Sequence, residues 1–316
     1  MSMVLIDLSN FFNGLIAESS VGPGLTRAYF MDWLDLELLA SVINPDPSAS
    51  IGTWIFYSNR AMGRGPARLS AEELKEFAKR HNRISGISAI DVGIPGEQGE
   101  SFRFTCSKCR AENDTQTQSE KGIDSSLITH LFDTMDHWKT ATIVSQDADY
   151  VPAVRALRKR GKLVCGAGFI KRAADPLITE CFEYKDVMDE YIREDLRLFL
   201  LFQKGGRLSQ FVKNASSVDG ISVSATIIAT PTRNRVTWTL RVRRTDKNPI
   251  GSGHEDFLQQ IKTIKEEFPY VIGRENGPLD SEIEIYVRLD LRQHASLKRI
   301  SKRYLDFEVR GFIDVD

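Results

Sequence analysis

From Val4 to Ala167 short apolar runs alternate with segments of helical period. The runs are Val4 to Asp7, Ile51 to Tyr57, Ile87 to Val92, Thr140 to Ser145 and Leu163 to Ala167. They are short and nearly continuous in apolar or hydroxyl residues, as expected of strands buried on both faces. The segments between them space their apolar residues as helices do. Phe11 to Ala17, Tyr29 to Ile43 and Ser70 to His81 are three of these, and Ser70 with Glu73 makes a capping-box pattern. Glu120 to Trp138 carries a stripe of Ile123, Leu127, Leu131 and Met135, and Tyr150 to Arg160 ends at Gly161. Few architectures accept this order. The expected one is a Rossmann-like parallel α/β sheet covered by helices on both faces.

The pattern changes after about Tyr191. Ile221 to Ala229 and Arg235 to Arg243 alternate with period two about Thr230 to Asn234, a hairpin signature. A helix over Asp256 to Phe268, a strand over Ile283 to Leu291, a basic helix over Ala295 to Tyr304 and a last strand over Phe307 to Ile313 are expected to follow. Two domains result: residues 1–190, and a smaller α+β domain over 191–316 for nucleic-acid binding or oligomerisation. Ile192 to Val212 reads as a helix that joins them.

The formal net charge of -1 makes no global case for or against a polyanion. No apolar run approaches the roughly 18 residues of a membrane span. With only three residues before the first apolar run, no secretory leader is expected. Four cysteines in 316 residues do not suggest a disulfide framework. The expectation is a soluble, cytoplasmic protein with no membrane partner.

The chemistry gathers where strands end. In an open parallel sheet, ligands bind beyond the carboxyl ends of the strands. The first strand runs out through 4-VLIDLSN-10, with Asp7 and Asn10; the fourth through 143-IVSQDAD-149, with Asp147 and Asp149. The long helix opens with 120-EKGID-124, which puts Asp124 in its first turn. Gathered carboxylates repel, and a hard cation such as Mg²⁺ or Mn²⁺ relieves that cost. Such a cluster suits metal-assisted phosphodiester hydrolysis. Taken singly, each aspartate is as well explained as a helix cap or a favourable charge at a helix start.

These segments together resemble the NYN domain family, the LabA-like branch of the PIN-like nucleases. The shared features are I-D-x-x-N at the first strand, E-K-G-I-D opening a central helix, S-x-D-x-D-[YF]-x-P before another helix, and then R-x-x-G-K and a strand. The resemblance spans about residues 1–185. It implies a PIN-like sheet, an acidic divalent-metal pocket and, most often, ribonuclease activity, with RNA favoured over DNA. It also implies metal or water ligation by Asp7, Asp124, Asp147 and Asp149, with Asn10 orienting the first aspartate or a phosphate. Two positions depart from the family: Leu8 and Gln146 stand where small residues are usual. A haloacid-dehalogenase-type phosphatase would need a second aspartate where Ser9 stands, and a TOPRIM-type domain a glutamate in place of Asp7. A non-catalytic nucleic-acid-binding or assembly protein that keeps the acidic pocket is the alternative of another class.

Other groups are candidates for substrate contact. Lys121 lies beside the proposed pocket, and Ser145 is placed to bond a metal ligand, the substrate or backbone. Asn59, Arg60 and Arg64 follow the second strand, at the edge where a phosphate backbone would lie. Cys106 and Cys109 supply two of the four ligands of a structural Zn²⁺ site, and no second pair completes it. They read as a reduced pair unless a homo-oligomer shares the metal. His130 and His137 read as surface residues. In the second domain 233-RNRVTWTLRVRR-244 interleaves cations with Trp238, as a single-strand-binding surface does.

Overall fold

A computed structural model describes residues 1–58, 61–63, 65–92, 122–203, 205–207 and 209–210. It also describes the backbone of strands at 101–105, 112–116, 223–232, 235–244, 271–275, 282–290 and 309–310, with a few isolated positions. The chain divides into two compact units, Met1–Met31 with Leu36–Ile192, and Asp32–Asp35 with Arg193–Asp316.

The first unit is built on a six-stranded sheet. Its strands are β1 (Ser2–Asp7), β2 (Ser50–Tyr57), β3 (Ile87–Asp91), β6 (Thr140–Val144), β7 (Leu163–Gly168) and β8 (Tyr184–Asp186). They lie in the order β3-β2-β1-β6-β7-β8, and every neighbouring pair is parallel. The order reverses between β1 and β6, so a crevice opens there at the carboxyl ends. β1 is buried along its whole length, as a central strand covered on both faces must be.

One face is covered by α5 (Ile123–Asp133) and α6 (Val151–Lys159), whose Leu127, Leu131, Val154 and Leu157 pack with Met3, Leu5 and Ile143. Burying each such side chain is worth about 1.5–3 kcal/mol. Aromatic rings build a second group of contacts. Phe12 of α1 (Leu8–Glu18) lies 4.6 Å from Phe30, and Phe30 stacks at 4.7 Å on Phe77 of α4 (Ala71–His81). The capping box at α4 is present. Glu73 N–H donates to Ser70 Oγ at 3.2 Å, and Ser70 N–H donates to the Glu73 carboxylate at 2.8 Å.

Four features differ from the sequence expectation. Tyr29 to Ile43 is not one helix: a wide turn at Tyr29–Trp33 precedes α3 (Leu36–Ile43), and Pro23–Ala28 forms the separate α2. The cause is Trp33. Its indole N–H donates to Asp195 at 3.3 Å and its ring meets Phe199 edge-on, so residues 32–35 pack with the second unit. The polar stretch after β3 contains a hairpin, β4 (Ser101–Thr105) with β5 (Glu112–Gln116). The alternation in SFRFT was its one apolar signal; ENDTQ offers none. α7 (Asp175–Glu180) and the three-residue β8 were too short to stand out. His130 is only half exposed, its ring 4.9 Å from Trp54 and 5.7 Å from Phe56, and burial lowers its pKa.

In the second unit, α8 (Arg193–Phe202) precedes a five-stranded sheet of order β11-β12-β10-β9-β13. β9 (Val223–Thr232) and β10 (Arg235–Arg244) form the expected hairpin. β10 also pairs antiparallel with β12 (Glu282–Asp290), and β12 with β11 (Val271–Glu275). β13 (Val309–Arg310) runs parallel to β9. The expected helices over 256–268 and 295–304 lie outside the described residues. No helix among the described residues is long and apolar enough to cross a membrane.

Candidate active site

The site is assembled from three pieces of chain at the crevice between β1 and β6. Asp7 ends β1 and caps α1: its Oδ1 accepts the Asn10 N–H at 2.9 Å. An aspartate that caps a helix is held rigidly and feels the positive end of the helix dipole. It is 5% exposed, so a group deep in the fold presents its carboxylate to the crevice wall.

The residue that joins the pieces is Tyr150. Its side chain is fully buried, and its hydroxyl donates to Asp7 Oδ2 at 3.1 Å. Asp124, in the first turn of α5, lies near the same hydroxyl: the phenol lowers the carboxyl's pKa and the carboxylate raises the phenol's. Burial and the two carboxylates push the phenol far above its ordinary pKa, so it stays protonated. One hydroxyl carries one proton. It is given to Asp7. Asp124 is the group disposed to protonate. Its pKa is raised chiefly by burial and further by the charges of Asp147 and Asp149, against the Tyr150 hydrogen bond. α5 starts at Gly122 with φ 112, a left-handed conformation that side-chain-bearing residues adopt at a cost, which sets where Asp124 emerges.

The turn after β6 folds on itself. Ser145 Oγ accepts the Asp147 N–H at 3.2 Å, and Asp147 Oδ1 accepts the Asp149 N–H at 3.1 Å. Asp147 is half-buried and Asp149 exposed. Asn10 fastens this turn from the other side of the crevice. Its amide oxygen accepts the Gln146 N–H at 2.8 Å, while its own backbone orients Asp7. Ser145 is fully buried and shapes the turn from within. Tyr184 donates to the Ser145 carbonyl at 2.9 Å from β8.

The two departures from the family pattern face away from the crevice mouth. Leu8 is fully buried. The Gln146 side chain is 8% exposed and lies against Gly14 and Gly168, where a Cβ on either glycine would collide with it. The lysine of the R-x-x-G-K motif, Lys162, is structural: its ammonium donates to the carbonyls of Met135 and Trp138 at 2.6 and 2.7 Å. Cys165 and Cys181 are buried free thiols, and burial pushes Cys181 up to about 12, so neither is a reactive thiolate. Asn59, Arg60, Arg64, Cys106, Cys109, Glu120 and Lys121 lie outside the described residues.

The donors at the crevice are all oxygens, the set that hard divalent cations prefer. Among the described residues no three His, Cys, Asp or Glu side chains form a group that could hold a metal unaided. Magnesium commonly keeps several waters and takes one or two carboxylates, which the half-buried Asp124 and Asp147 can supply. Sequence reading named all the carboxylates but missed Tyr150 as their bridge, although the [YF] of the motif marked its position.

Comparison with known proteins agrees with the family read from the motifs. No curated protein matches the sequence. Two solved structures resemble it weakly. One is a protein of unknown function, VPA0982, from Vibrio parahaemolyticus, with 13% identity over 60% of this chain and 93% of that one and a TM-score of 0.39. The other is a candidate oxidoreductase from Parabacteroides merdae, with 6% identity over 95% of this chain and 90% of that one and a TM-score of 0.23. The match to the NYN domain family runs from residue 52 to 188 and includes Asp124, Asp147 and Asp149. Asp7 and Asn10 precede it and join the site through β1, which lies between β2 and β6. The chain carries an NYN domain over residues 52–188.

Proposed function

We propose that the protein is a divalent-metal-dependent nuclease that hydrolyses phosphodiester bonds, with RNA as the favoured substrate. NYN domains belong to the PIN-like nucleases and are typically ribonucleases. The single observation that carries the reading is the approach of Asp7 and Asp124 to one buried hydroxyl, which bonds Asp7, with Asp147 and Asp149 close enough to raise the Asp124 pKa. Asp7 stands more than 100 positions before the other three, and although each aspartate alone serves at a helix start, together they gather repelling charge in one crevice.

In this reading Asp124 and Asp147 would hold Mg²⁺ or Mn²⁺ together with waters at the crevice mouth, with Asp149 beside them and Asp7 behind them at Tyr150. When bound, the cation supplies charge neutralisation at the phosphate and a more acidic water. Asn10 fixes the β6 turn, so that the carboxylates keep their spacing as substrate enters. Residues 1–190 act as the catalytic domain, and residues 191–316 serve nucleic-acid binding or assembly of a homo-oligomer. The cationic sequence of β10 supports nucleic-acid binding. Lys121, Asn59 and Arg60 remain candidates for phosphate contact.

The test is turnover of labelled RNA and DNA with Mn²⁺, Mg²⁺ or chelator, with Asp147→Asn as control. Metal-dependent cleavage by the wild type alone supports the reading; equal cleavage by both sinks it. The second reading, a binding protein without turnover, is favoured by the Tyr150 hydroxyl between Asp7 and Asp124 and predicts strand binding with no cleavage in any metal.

A further inference from the structure

The turns that leave β1 and β6, residues 7–10 and 145–150, contain Asp7, Asp147 and Asp149 and no lysine or arginine. A polyanionic strand approaching them needs positive charge nearby to hold it. The turn that leaves β7 has the opposite character. Ile170, Lys171 and Arg172 follow one another there, all three exposed, with Ile170 at 42%. Neither cation is ion-paired to a carboxylate among the described residues.

This turn is anchored at both ends. Phe169 is buried at 1% exposure and its ring lies 5.6 Å from Phe11, in space left open by Gly14. The Arg172 and Ala173 N–H groups both donate to the Phe169 carbonyl, at 2.9 and 3.0 Å. Two residues on, Ala174 N–H donates to the Gln146 carbonyl at 3.0 Å, directly before Asp147. Two residues of chain span at most about 7 Å. Arg172 is therefore within a side chain's reach of the acidic turn, on backbone fixed by these three hydrogen bonds. A tight turn with a buried aromatic root, whose tip is one apolar and two cationic side chains, has no packing reason for that tip.

We propose that Ile170–Lys171–Arg172 is a backbone clamp for a single nucleic-acid strand. Lys171 and Arg172 hold phosphates flanking the one that enters the acidic crevice, and Ile170 packs against a sugar or base. Phosphate contacts of this kind set register without reading sequence. The location of the clamp rests on the nuclease reading; its affinity for a strand does not.

The experiment is fluorescence anisotropy with the full-length protein, metal-free, on a labelled single-stranded RNA and its DNA counterpart, over a series of salt concentrations. The variants are Lys171→Glu/Arg172→Glu, the milder Lys171→Gln/Arg172→Gln, and Lys139→Glu/Lys159→Glu, which makes the same charge change at residues that precede β6 and end α6, away from the carboxyl ends of the strands. Circular dichroism checks that each is folded. The expected result is at least tenfold weaker binding for the glutamate pair at position 171–172, a smaller loss for the glutamine pair, and a salt slope reduced by about 1.4, two contacts at about 0.7 each. The control pair keeps wild-type affinity. Wild-type affinity and slope in the 171–172 variants, an equal loss in the control pair, or a wild type that binds neither strand overturns the clamp. Cleavage by wild type and Asp147→Asn, measured in parallel with Mn²⁺, separates the two ideas: equal cleavage removes the nuclease reading and leaves the clamp standing on its binding data.

Discussion

Asn10 Oδ1 accepts the backbone N–H of Gln146 at 2.8 Å and so ties together two turns 136 residues apart in sequence. The bond fixes the distance between Asp7, three residues before Asn10, and Asp147, one residue after Gln146. Tyr150 supplies a second side-chain link between the β1 and β6 exits, through its hydrogen bond to Asp7. Asn10→Ala should leave the Gln146 N–H without its acceptor, at a cost of about 1–3 kcal/mol. Asn10→Asp keeps an acceptor but adds a carboxylate beside Asp7 and Asp147, so it should recover only part of that stability. Urea unfolding of both variants checks this, and identical curves for the two would show that the bond does not hold the turn.

Tyr150→Phe removes the hydroxyl shared by Asp7 and Asp124 and nothing else. A hydrogen bond to a charged group is worth about 1.5–3 kcal/mol. The metal-free variant should therefore melt below the wild type, and added Mn²⁺ should raise its melting temperature more than it raises that of the wild type. Thermal melts with and without Mn²⁺ read this without any need for activity. An equal shift in both proteins would remove Tyr150 from the carboxylate cluster.

Asp124 is predicted to trade stability for function. Burial and the charges of Asp147 and Asp149 raise its pKa, so the folded state binds its proton more tightly than the unfolded state does. Without metal, stability from this group is present below the unfolded carboxyl value and is lost as pH rises through the raised folded value. Asp124→Asn should remove that decline and melt higher than the wild type at neutral pH without metal, yet lose metal-dependent cleavage by at least about a hundredfold. Melting temperature across pH, and cleavage rate at one pH, test both halves.

His81 governs the acid side. It is 3% exposed, its ring bonds the Phe77 carbonyl at 2.8 Å, and burial lowers its pKa from 6.5 to about 4. The unfolded chain takes up its proton first, so stability falls as pH drops from 6.5 toward 4. The full loss is about 3 kcal/mol. His81→Leu should flatten the denaturation midpoint across that range; an unchanged slope would mean that another group is responsible.

Much of this protein is legible along the chain. Continuous apolar runs such as 4-VLID-7, separated by helical periods, require strands covered on both faces, and both the parallel sheet and the strand-end aspartates follow from that local pattern. Ser70 and Glu73 announce a helix start because a capping box is made within four residues. What the sequence could not give are the contacts made only when distant segments meet. The Tyr150 hydroxyl looks like any aromatic at a helix start until β1 and α5 bring Asp7 and Asp124 to it. Trp33 reads as one position of a helical stripe until Asp195 and Phe199 draw residues 32–35 out of it. Local pattern is set by backbone preference and by the burial of neighbours in sequence. Where a carboxylate finds its proton donor is set by side chains more than 100 residues away, and only the folded sheet decides which of them arrive.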